Sequence, residues 1–425
     1  MRIVILLFAV LFLTACQQNS GRTLTDIKDY DHYLDTSAAS TTSKYFELWN
    51  SKIKPDSMQL SSFGIVAGEY NRYFNATGDI QFLKKAEMAL KRAVNIAAIG
   101  KAEYLRALAR NYITQHRFKE ALQLASAACR KGSGINSSHK LMFDIHMELG
   151  NYNIAGKYLD SVKNMSDFGY LIRIAKWNDH KGDLSTTIRF MEKAKEKAEA
   201  AKNKSLQLWS YTNLADYYGH AGRIKASYQH FLQALSLDPN NAYAKKGIAW
   251  IVFSHGKNPK EAMRILDAVT KNYKSPDYYL LKAEIAEYMN DDRKYLSNLD
   301  NYYKTVQNPQ YGPMYNIPNA VLYLDQTAQY KKGIKLARKE VNNRPTPETF
   351  ALLAYAYLKD GQNTMAAKIA DNEILGKTFE PNTLLYAAEI YKAVGKAKTS
   401  SELKAELLDA VYELGPVQQL RIYKL

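Results

Sequence analysis

One pattern of small and aromatic residues recurs about every 34 residues from residue 64 to the end of the chain. In its clearest copy, which starts at Leu208, Ala215 and Tyr218 precede a turn at Gly222, and Phe231 follows the turn. A chain of 425 residues with such a period is not expected to form a few separate globular domains, because internal repeats at this spacing stack into one continuous core. The copies start at residues 64, 102, 136, 168, 208, 242, 276, 314, 347 and 381.

Each copy has the residue pattern of two antiparallel helices joined by a short turn. Small residues, mostly alanine, occupy positions 8, 20 and 27 of the unit, where two helix backbones can then approach closely. Larger apolar residues at positions 7, 11 and 24 fill the space between neighbouring units. Position 11 accounts for part of the high tyrosine content, since it is occupied by Tyr112, Tyr218, Tyr357 and Tyr391.

These positions closely resemble the signature of the tetratricopeptide repeat (TPR) family. The resemblance implies an all-α solenoid of about ten helical hairpins in a right-handed superhelix, spanning residues 64–414. One hairpin cannot bury its apolar face alone, so the stack must supply the core. In the last unit, Gly415-Pro416 should stop the final helix, which leaves residues 415–425 as a C-terminal tail.

The first residues carry the features of an export signal. Arg2 is followed by an unbroken apolar run, Ile3–Leu13, which is shorter than the roughly 20 residues that span a bilayer. The sequence Leu-Thr-Ala-Cys that ends at Cys16 resembles the lipobox of bacterial lipoproteins. This resemblance implies a signal peptide over residues 1–15, acylation of Cys16 and a lipid-anchored protein of the bacterial cell envelope. An ordinary signal peptide with a chance cysteine is the alternative.

Residues 16–63 are expected to hold the lipidated cysteine, a polar tether and short leading helices. Low-hydrophobicity sequence at Gln17–Gly21 and Thr36–Ser43 is typical of such a tether. Between the two, Asp26–Leu34 has the length and pattern of a short docking helix. The residues after Cys16 lack the aspartate that some bacteria read as inner-membrane retention, which favours the outer membrane and leaves the leaflet open.

The chain is basic, with 58 Lys+Arg against 42 Asp+Glu and a net charge of +16. Such a charge is compatible with nucleic-acid binding, which phosphate neutralisation drives. An exported protein seldom meets nucleic acid, however, and its lysines alternate with acidic or small residues along the predicted helices. We therefore expect solvated helix faces and no nucleic-acid partner, and contact with anionic lipid or glycan at the envelope stays open.

No catalytic motif stands out in the sequence. It lacks HExxH, GxSxG and GxGxxG patterns, and its two cysteines cannot form an all-thiolate metal site. Almost no segment outside the repeats could hold a catalytic domain. The sequence thus predicts a non-enzymatic protein with no catalytic residues, no cofactor and no metal.

The remaining candidate site is the concave groove of the solenoid. In TPR families, ligand contacts commonly come from positions 2, 5, 9, 12 and 13 of the first helix, which share one helix face. Trp250 and Tyr355 could equally pack between repeats. The groove candidates are Arg106, Arg110, Lys140, Asp144, Lys176, His180, Trp209, Asp216, His220, Tyr243, Lys246, Trp250, Glu284, Tyr355 and Glu389.

Two functions fit this sequence. The first is an envelope-anchored TPR scaffold that binds another envelope protein, or a peptide from it, in the concave groove. The second is a SusD-like lipoprotein that binds a glycan or another nutrient on a TPR-like frame. SusD-type proteins insert long aromatic-rich loops between helices, whereas the turns here are short and regularly spaced, which favours the scaffold.

Overall fold

The computed structural model describes residues 24–35, 37–54, 56 and 58–425. Within these residues every regular element is a helix, so the predicted all-α class is confirmed. The predicted signal peptide, residues 1–15, and Cys16 lie outside the described residues. The consecutive helices pack as antiparallel pairs, as a helical-repeat solenoid requires.

Two short helices, α1 (Ile27–Tyr30) and α2 (Lys44–Asn50), precede the solenoid, and a 3-10 turn (Asp31–Tyr33) follows α1. Ten helical hairpins then follow, which we number as repeats 1–10. They are α3–α4 (Leu60–Thr77, Ile80–Ile96), α5–α6 (Lys101–Thr114, Phe118–Arg130), α7–α8 (Ile135–Glu148, Tyr152–Ser161), α9–α10 (Phe168–His180, Leu184–Ala200), α11–α12 (Lys204–His220, Ile224–Leu237), α13–α14 (Ala242–Trp250, Pro259–Thr270), α15–α16 (Asp277–Tyr288, Asp292–Val306), α17–α18 (Asn316–Asp325, Tyr330–Asn343), α19–α20 (Pro347–Lys359, Asn363–Glu373) and α21–α22 (Pro381–Ala393, Ala397–Asp409). A 3-10 turn (Pro309–Tyr311) precedes repeat 8, and a last helix, α23 (Val411–Tyr423), follows repeat 10.

The repeat positions pack as their chemistry dictates. The alanine at position 8 is fully buried in the clearest copies, for example Ala109 and Ala215, and lets the two helices of a hairpin touch. The tyrosines at position 11 are buried as well, Tyr391 completely and Tyr218 with 4% of its surface exposed. Several first helices start at an Asn or Asp cap; in repeat 6 the Asn241 side chain accepts a hydrogen bond from the Ala244 N–H.

Repeat 6 differs from the other repeats in its first helix. There α13 continues into a π-helical segment, Ile251–His255. Here the Gly256 N–H bonds to the Ile251 carbonyl five residues back. Such π-turns rotate the helix face and are frequent at functional sites.

The solenoid is wound tightly enough for its successive superhelical turns to contact each other. The turn inside repeat 1 contacts the segment before repeat 7, where the Lys274 N–H donates to the Thr77 carbonyl at 2.7 Å. In the same way, Gly150 in repeat 3 packs against the Pro345 carbonyl before repeat 9, and Gly182 in repeat 4 packs against Phe379 before repeat 10. Each contact joins segments six repeats apart. The concave face is consequently walled on several sides.

The C-terminal segment does not hang free of the solenoid. Residues 415–425, expected as a tail, form most of α23, which bends at Gly415 (φ 83°) and turns back onto the concave face. There α23 contacts α11, α15, α21 and the π-helical segment. Leu414 and Ile422 are buried against the last repeats.

The N-terminal segment docks on the outside of repeats 5 and 6. Tyr30 in α1 is 2% exposed and its hydroxyl donates to Glu261 at 2.8 Å, while Asp31 pairs with Arg264 at 2.7 Å. The Tyr228 hydroxyl donates to the Asp26 carbonyl. The expected docking helix is therefore present in a short form. None of the helices in the described residues is long and apolar enough to cross a membrane.

Candidate functional site: the concave face

The chain's own C-terminus divides the concave face into two parts. The open half is formed by the first helices of repeats 2–5, which are α5, α7, α9 and α11, and α23 reaches only the C-terminal end of α11, at Gly219 and His220. The covered half is formed by the first helices of repeats 6, 7, 9 and 10, which are α13 with its π-helical continuation, α15, α19 and α21, and α23 lies across it. The fifteen groove candidates fall into both halves, so they do not form one continuous solvent-facing surface.

In the covered half, the candidate Trp250 binds the chain itself. Its indole N–H donates to the Tyr412 carbonyl at 3.1 Å, and the Ser254 hydroxyl donates to the same oxygen at 2.7 Å. Both donors come from the π-turned end of the first helix of repeat 6. Two glycines allow the close approach, because a Cβ at Gly415 would lie 2.5 Å from the Trp250 ring and one at Gly219 would lie 2.7 Å from the Tyr412 ring.

The candidates Tyr355 and Glu389 hold the cation that α23 supplies. Arg421 donates two hydrogen bonds to the Glu389 carboxylate, at 3.0 and 2.7 Å, and a third to the Tyr355 hydroxyl at 3.1 Å. The guanidinium also lies 5.4 Å from the Tyr355 ring and 5.8 Å from the Tyr386 ring, which stack on each other. A bidentate carboxylate and two aromatic rings are a strong combination for binding a guanidinium.

The candidate Glu284 faces this helix without a cation of its own. Burial, helped by the charge of Glu287, raises the pKa of Glu284 to about 8. Neither the Glu284 nor the Glu287 carboxylate has a hydrogen bond or ion pair among the described residues. Both line a chamber of about 600 Å³ that is bounded on its other side by Val417, Gln418 and Arg421 of α23.

A second acidic group enters the interior on α23 itself. Burial, with the neighbouring charges of Glu380, Asp179 and Asp216, raises the pKa of Glu413 to about 7. The basic side chain in contact with it is the candidate His220 in α11, whose Nδ1 lies 3.7 Å from the carboxylate. Burial lowers the pKa of His220, so at neutral pH the imidazole is mostly uncharged.

A chamber of about 520 Å³ lies between the successive superhelical turns, and it contains the candidates Lys176, His180 and His220. Lys176 pairs with Glu148 at 2.8 Å, and Arg344 from the next turn pairs with the same carboxylate at 3.2 Å. His180 stacks on Tyr152, with ring centres 3.9 Å apart, and burial lowers its pKa. Of these contacts, the ion pair of Arg344 with Glu148 joins the two turns, and the others join repeats 3 and 4.

Three candidates at the border of the two halves bind one another. The Tyr243 hydroxyl donates to Asp216 at 2.6 Å, and the Lys246 ammonium lies 5.2 Å from the Tyr243 ring. Burial raises the pKa of Asp216. The three side chains line a cavity of about 410 Å³ whose far wall includes Trp250 and Tyr412.

In the open half, three more candidates are occupied by structural contacts. Arg106 is 8% exposed and donates to the Ser133 carbonyl at 2.8 Å, which fixes the start of the next repeat. Lys140 pairs with Asp167, and Asp144 accepts from Arg173, each at 2.5 Å. These side chains position neighbouring first helices and offer little binding capacity of their own.

The free binding groups of the open half are Arg110 and Trp209. Arg110 is exposed, and its guanidinium has no hydrogen bond or ion pair among the described residues. Burial by the surrounding walls, with the nearby charge of Arg173, lowers its pKa. Trp209 is 39% exposed, touches Phe168 edge-on and lines a cavity of about 450 Å³ together with Asn213 and other first-helix residues.

Sequence reasoning missed several residues that shape this face. Arg421 was assigned to the C-terminal tail and Glu413 to the last helix of the solenoid, both outside the groove candidates. Ser254 lies in the π-helical segment, which the repeat pattern does not reveal. The Gly415-Pro416 pair was the available signal, because a glycine bend beside proline can redirect a chain as well as stop a helix. Among the described residues, no three His, Cys, Asp or Glu side chains are placed to hold a metal ion.

The fold and its concave face define a helical-repeat solenoid of the class that generally serves as a protein-interaction scaffold. A model of the tetratricopeptide repeat family matches residues 220–285. A tetratricopeptide repeat protein from Parabacteroides merdae, known from its crystal structure, is 16% identical and aligns over 58% of this chain and 93% of its own, with a TM-score of 0.39. No curated protein matches the sequence. The chain contains tetratricopeptide repeats, a family that is generally non-catalytic.

Proposed function

We propose that this protein is a lipid-anchored scaffold of the bacterial cell envelope that binds a segment of a partner protein in the open half of its groove. The observation that carries this proposal is that two groove candidates of the open half, Arg110 and Trp209, keep free binding capacity. Exposed Trp and Arg in a concave, partly desolvated surface are the residue types that dominate binding energy at protein interfaces.

The open half also has the shape that a peptide needs. The cavity beside Trp209 is lined by polar groups such as Asn213 and by apolar ones such as Ile172, so it can hold one side chain and fix its backbone. The ion pairs of Lys140 and Asp144 hold the first helices in place before a partner arrives. Such preorganisation lowers the entropy lost on binding.

The docked N-terminus supports the anchoring part of the proposal. The described chain starts at Leu24, beside the docked helix α1, so only residues 17–23 separate it from Cys16. Seven residues span at most about 25 Å when fully extended. An acylated Cys16 would therefore hold repeats 5 and 6 close to the membrane surface.

Affinity capture from solubilised membranes tests the groove. We expect Trp209→Ala and Arg110→Glu each to lose most of the partner recovered by the native protein, with unchanged helical content by circular dichroism. The matched control is Lys335→Glu, which reverses another exposed charge on α18, away from the first helices. Equal recovery by all variants would show that the open half is not the binding surface.

Labelling with radioactive palmitate tests the anchor. We expect incorporation into the native protein and into Cys129→Ala, and none into Cys16→Ala. Cys129 is the matched control because it is the only other cysteine, half-buried in α6. Labelling that persists in Cys16→Ala would refute lipidation at this residue.

A further inference from the structure

The covered half contacts Arg421 with the kinds of group that a binding site offers to a ligand. Its guanidinium receives a bidentate carboxylate from Glu389, a phenol oxygen from Tyr355 and the faces of two tyrosine rings. These groups belong to α19 and α21, while the cation comes from a separate helix beyond the glycine bend. The covered half is thus already shaped to recognise a helix that presents an arginine.

End-capping of the solenoid explains only part of this arrangement. A capping helix has to cover the apolar side of the last repeat, and Leu414 and Ile422 do so. The contacts of Tyr412 with Trp250 and Ser254, however, reach repeat 6, four repeats before the end. Capping repeat 10 does not require them.

The covered half also has acidic capacity that α23 does not use. Glu284 and Glu287 face the chamber of about 600 Å³ beside α23, and neither is paired among the described residues. On the α23 side this chamber meets Val417, Gln418 and Arg421, and Arg421 is engaged by Glu389. A helix with a second cation at the place of Gln418 would pair with carboxylates to which α23 makes no ion pair.

We propose that repeats 6–10 form a second binding surface, specific for a basic amphipathic helix of a partner protein, and that α23 occupies it in cis until such a helix displaces it. This inference rests on the proposed scaffold function, and it adds a partner chemistry and a surface separate from the open half. Recognition is of the helix-in-groove type, with apolar residues on one helix face and arginine or lysine beside them. The partner's advantage over α23 is the additional pairing with Glu284 and Glu287.

If a partner helix has to displace α23, the apparent affinity for that helix depends on how often α23 is undocked. While α23 is docked, the apparent affinity for a competing helix is reduced by the fraction of molecules whose surface is free. A substitution that undocks α23 should therefore tighten binding without changing any residue of the surface. Gly415→Ala is such a substitution, because its φ is 83° and the added Cβ would lie 2.5 Å from the Trp250 ring.

The experiment uses the full chain and fluorescein-labelled peptides with the sequence of residues 411–425. One peptide carries Gln418→Lys, and a second carries both Gln418→Lys and Arg421→Glu. Fluorescence anisotropy is measured with the native protein, with Gly415→Ala and with the matched control Gly361→Ala. Gly361 has a similar positive φ of 78°, and nothing lies within 4 Å of an added Cβ.

We expect Gly415→Ala to bind the Gln418→Lys peptide about tenfold or more tightly than the native protein and Gly361→Ala. The peptide that also carries Arg421→Glu should not bind measurably. Equal affinities for the three proteins, or equal affinities for the two peptides, would overturn the inference. Tryptophan emission, to which Trp250 contributes, reports independently whether α23 has undocked.

A second variant keeps the test decisive if Gly415→Ala does not fold. Arg421→Glu in the full chain removes the cation from α23 and should also undock it and tighten peptide binding. If neither variant changes the tryptophan emission, α23 is a fixed part of the fold and the inference is wrong. A concentration-dependent dimer of Gly415→Ala that Arg421→Glu abolishes would assign the surface to a second copy of this chain.

A failure of this inference can be distinguished from a failure of the proposed scaffold function. Failure of the peptide to bind leaves the open half untouched, because Arg110 and Trp209 do not contact α23. Failure of the capture experiment with Trp209→Ala and Arg110→Glu, in turn, does not affect peptide binding to the covered half. The two proposals can therefore be refuted separately.

Discussion

Replacement of Glu284 by glutamine should stabilise the protein increasingly as the pH rises. Glu284 has a pKa of about 8 in the folded chain, against 4.5 for an ordinary glutamate, because it is buried and lies beside Glu287. Between these values the folded state holds a proton that the unfolded chain releases, so the free energy of unfolding falls as the pH rises. The stabilising contribution is complete below pH 4.5 and is lost by pH 8.

The magnitude follows from the size of the pKa shift. Each pH unit in the middle of this window removes about 1.4 kcal/mol, and because the slope is smaller near either pKa the total between pH 5 and pH 8 is about 3.5 kcal/mol. This figure is an upper bound, because the chamber next to Glu284 admits water that screens the charge. Glutamine has nearly the shape of the protonated glutamate and does not ionise, so Glu284→Gln should escape the loss.

Urea unfolding followed by circular dichroism at pH 5, 6.5 and 8 measures the effect. We expect the native protein and Glu284→Gln to be about equally stable at pH 5, and the variant to be more stable at pH 8. The difference between the two proteins removes the contribution of other titrating groups such as Glu413. The control Glu406→Gln changes an exposed glutamate on α22 and should show no such trend. A difference that does not depend on pH would refute the electrostatic reasoning.

Three further predictions concern packing between elements. Glu87→Gln should destabilise the junction of repeats 1 and 2 by roughly 1–3 kcal/mol at pH 7 and have little effect near pH 2. The reason is that hydrogen bonds from basic partners outweigh the effect of burial and lower the pKa of Glu87 to about 2. Unfolding curves at the two pH values measure the difference. Gly150→Ala should cost about 1–3 kcal/mol more than Gly132→Ala in the same assay, because both glycines have positive φ but only an alanine at 150 would collide with the Pro345 carbonyl, at 2.4 Å. Tyr30→Ala should free the N-terminal segment, which increased hydrogen exchange of residues 26–34 with the solenoid unchanged would demonstrate.

The helical-repeat architecture could be predicted because it depends on the pattern of residue sizes within each repeat. The period of about 34 residues located ten hairpins, and most predicted starts fall within two residues of the start of a first helix. Alanine and tyrosine at positions such as 109 and 391 carry this information, since their size decides how closely helices pack. The π-helical continuation of α13 could not be predicted in this way, because a π-turn and a longer loop leave the same gap in a repeat pattern.

The candidate site was predicted less well. Sequence spacing selected one face of each first helix, and the fifteen candidates on it stay predictions of binding residues. It could not show that Arg106 holds the Ser133 carbonyl, nor that Trp250 and Tyr355 contact α23. Those partners are distant in the chain; Tyr355 and Arg421, for example, are 66 residues apart.

The sequence by itself determined the helical hairpins and their number, because these properties arise from residue size and helical period within one repeat and its neighbour. Only the tertiary structure decided how far the solenoid curls and what lies in its groove. The curl depends on contacts between segments six repeats apart, and the content of the groove depends on a bend at Gly415. Whether such distant segments meet is determined by small rotations that accumulate over every repeat interface.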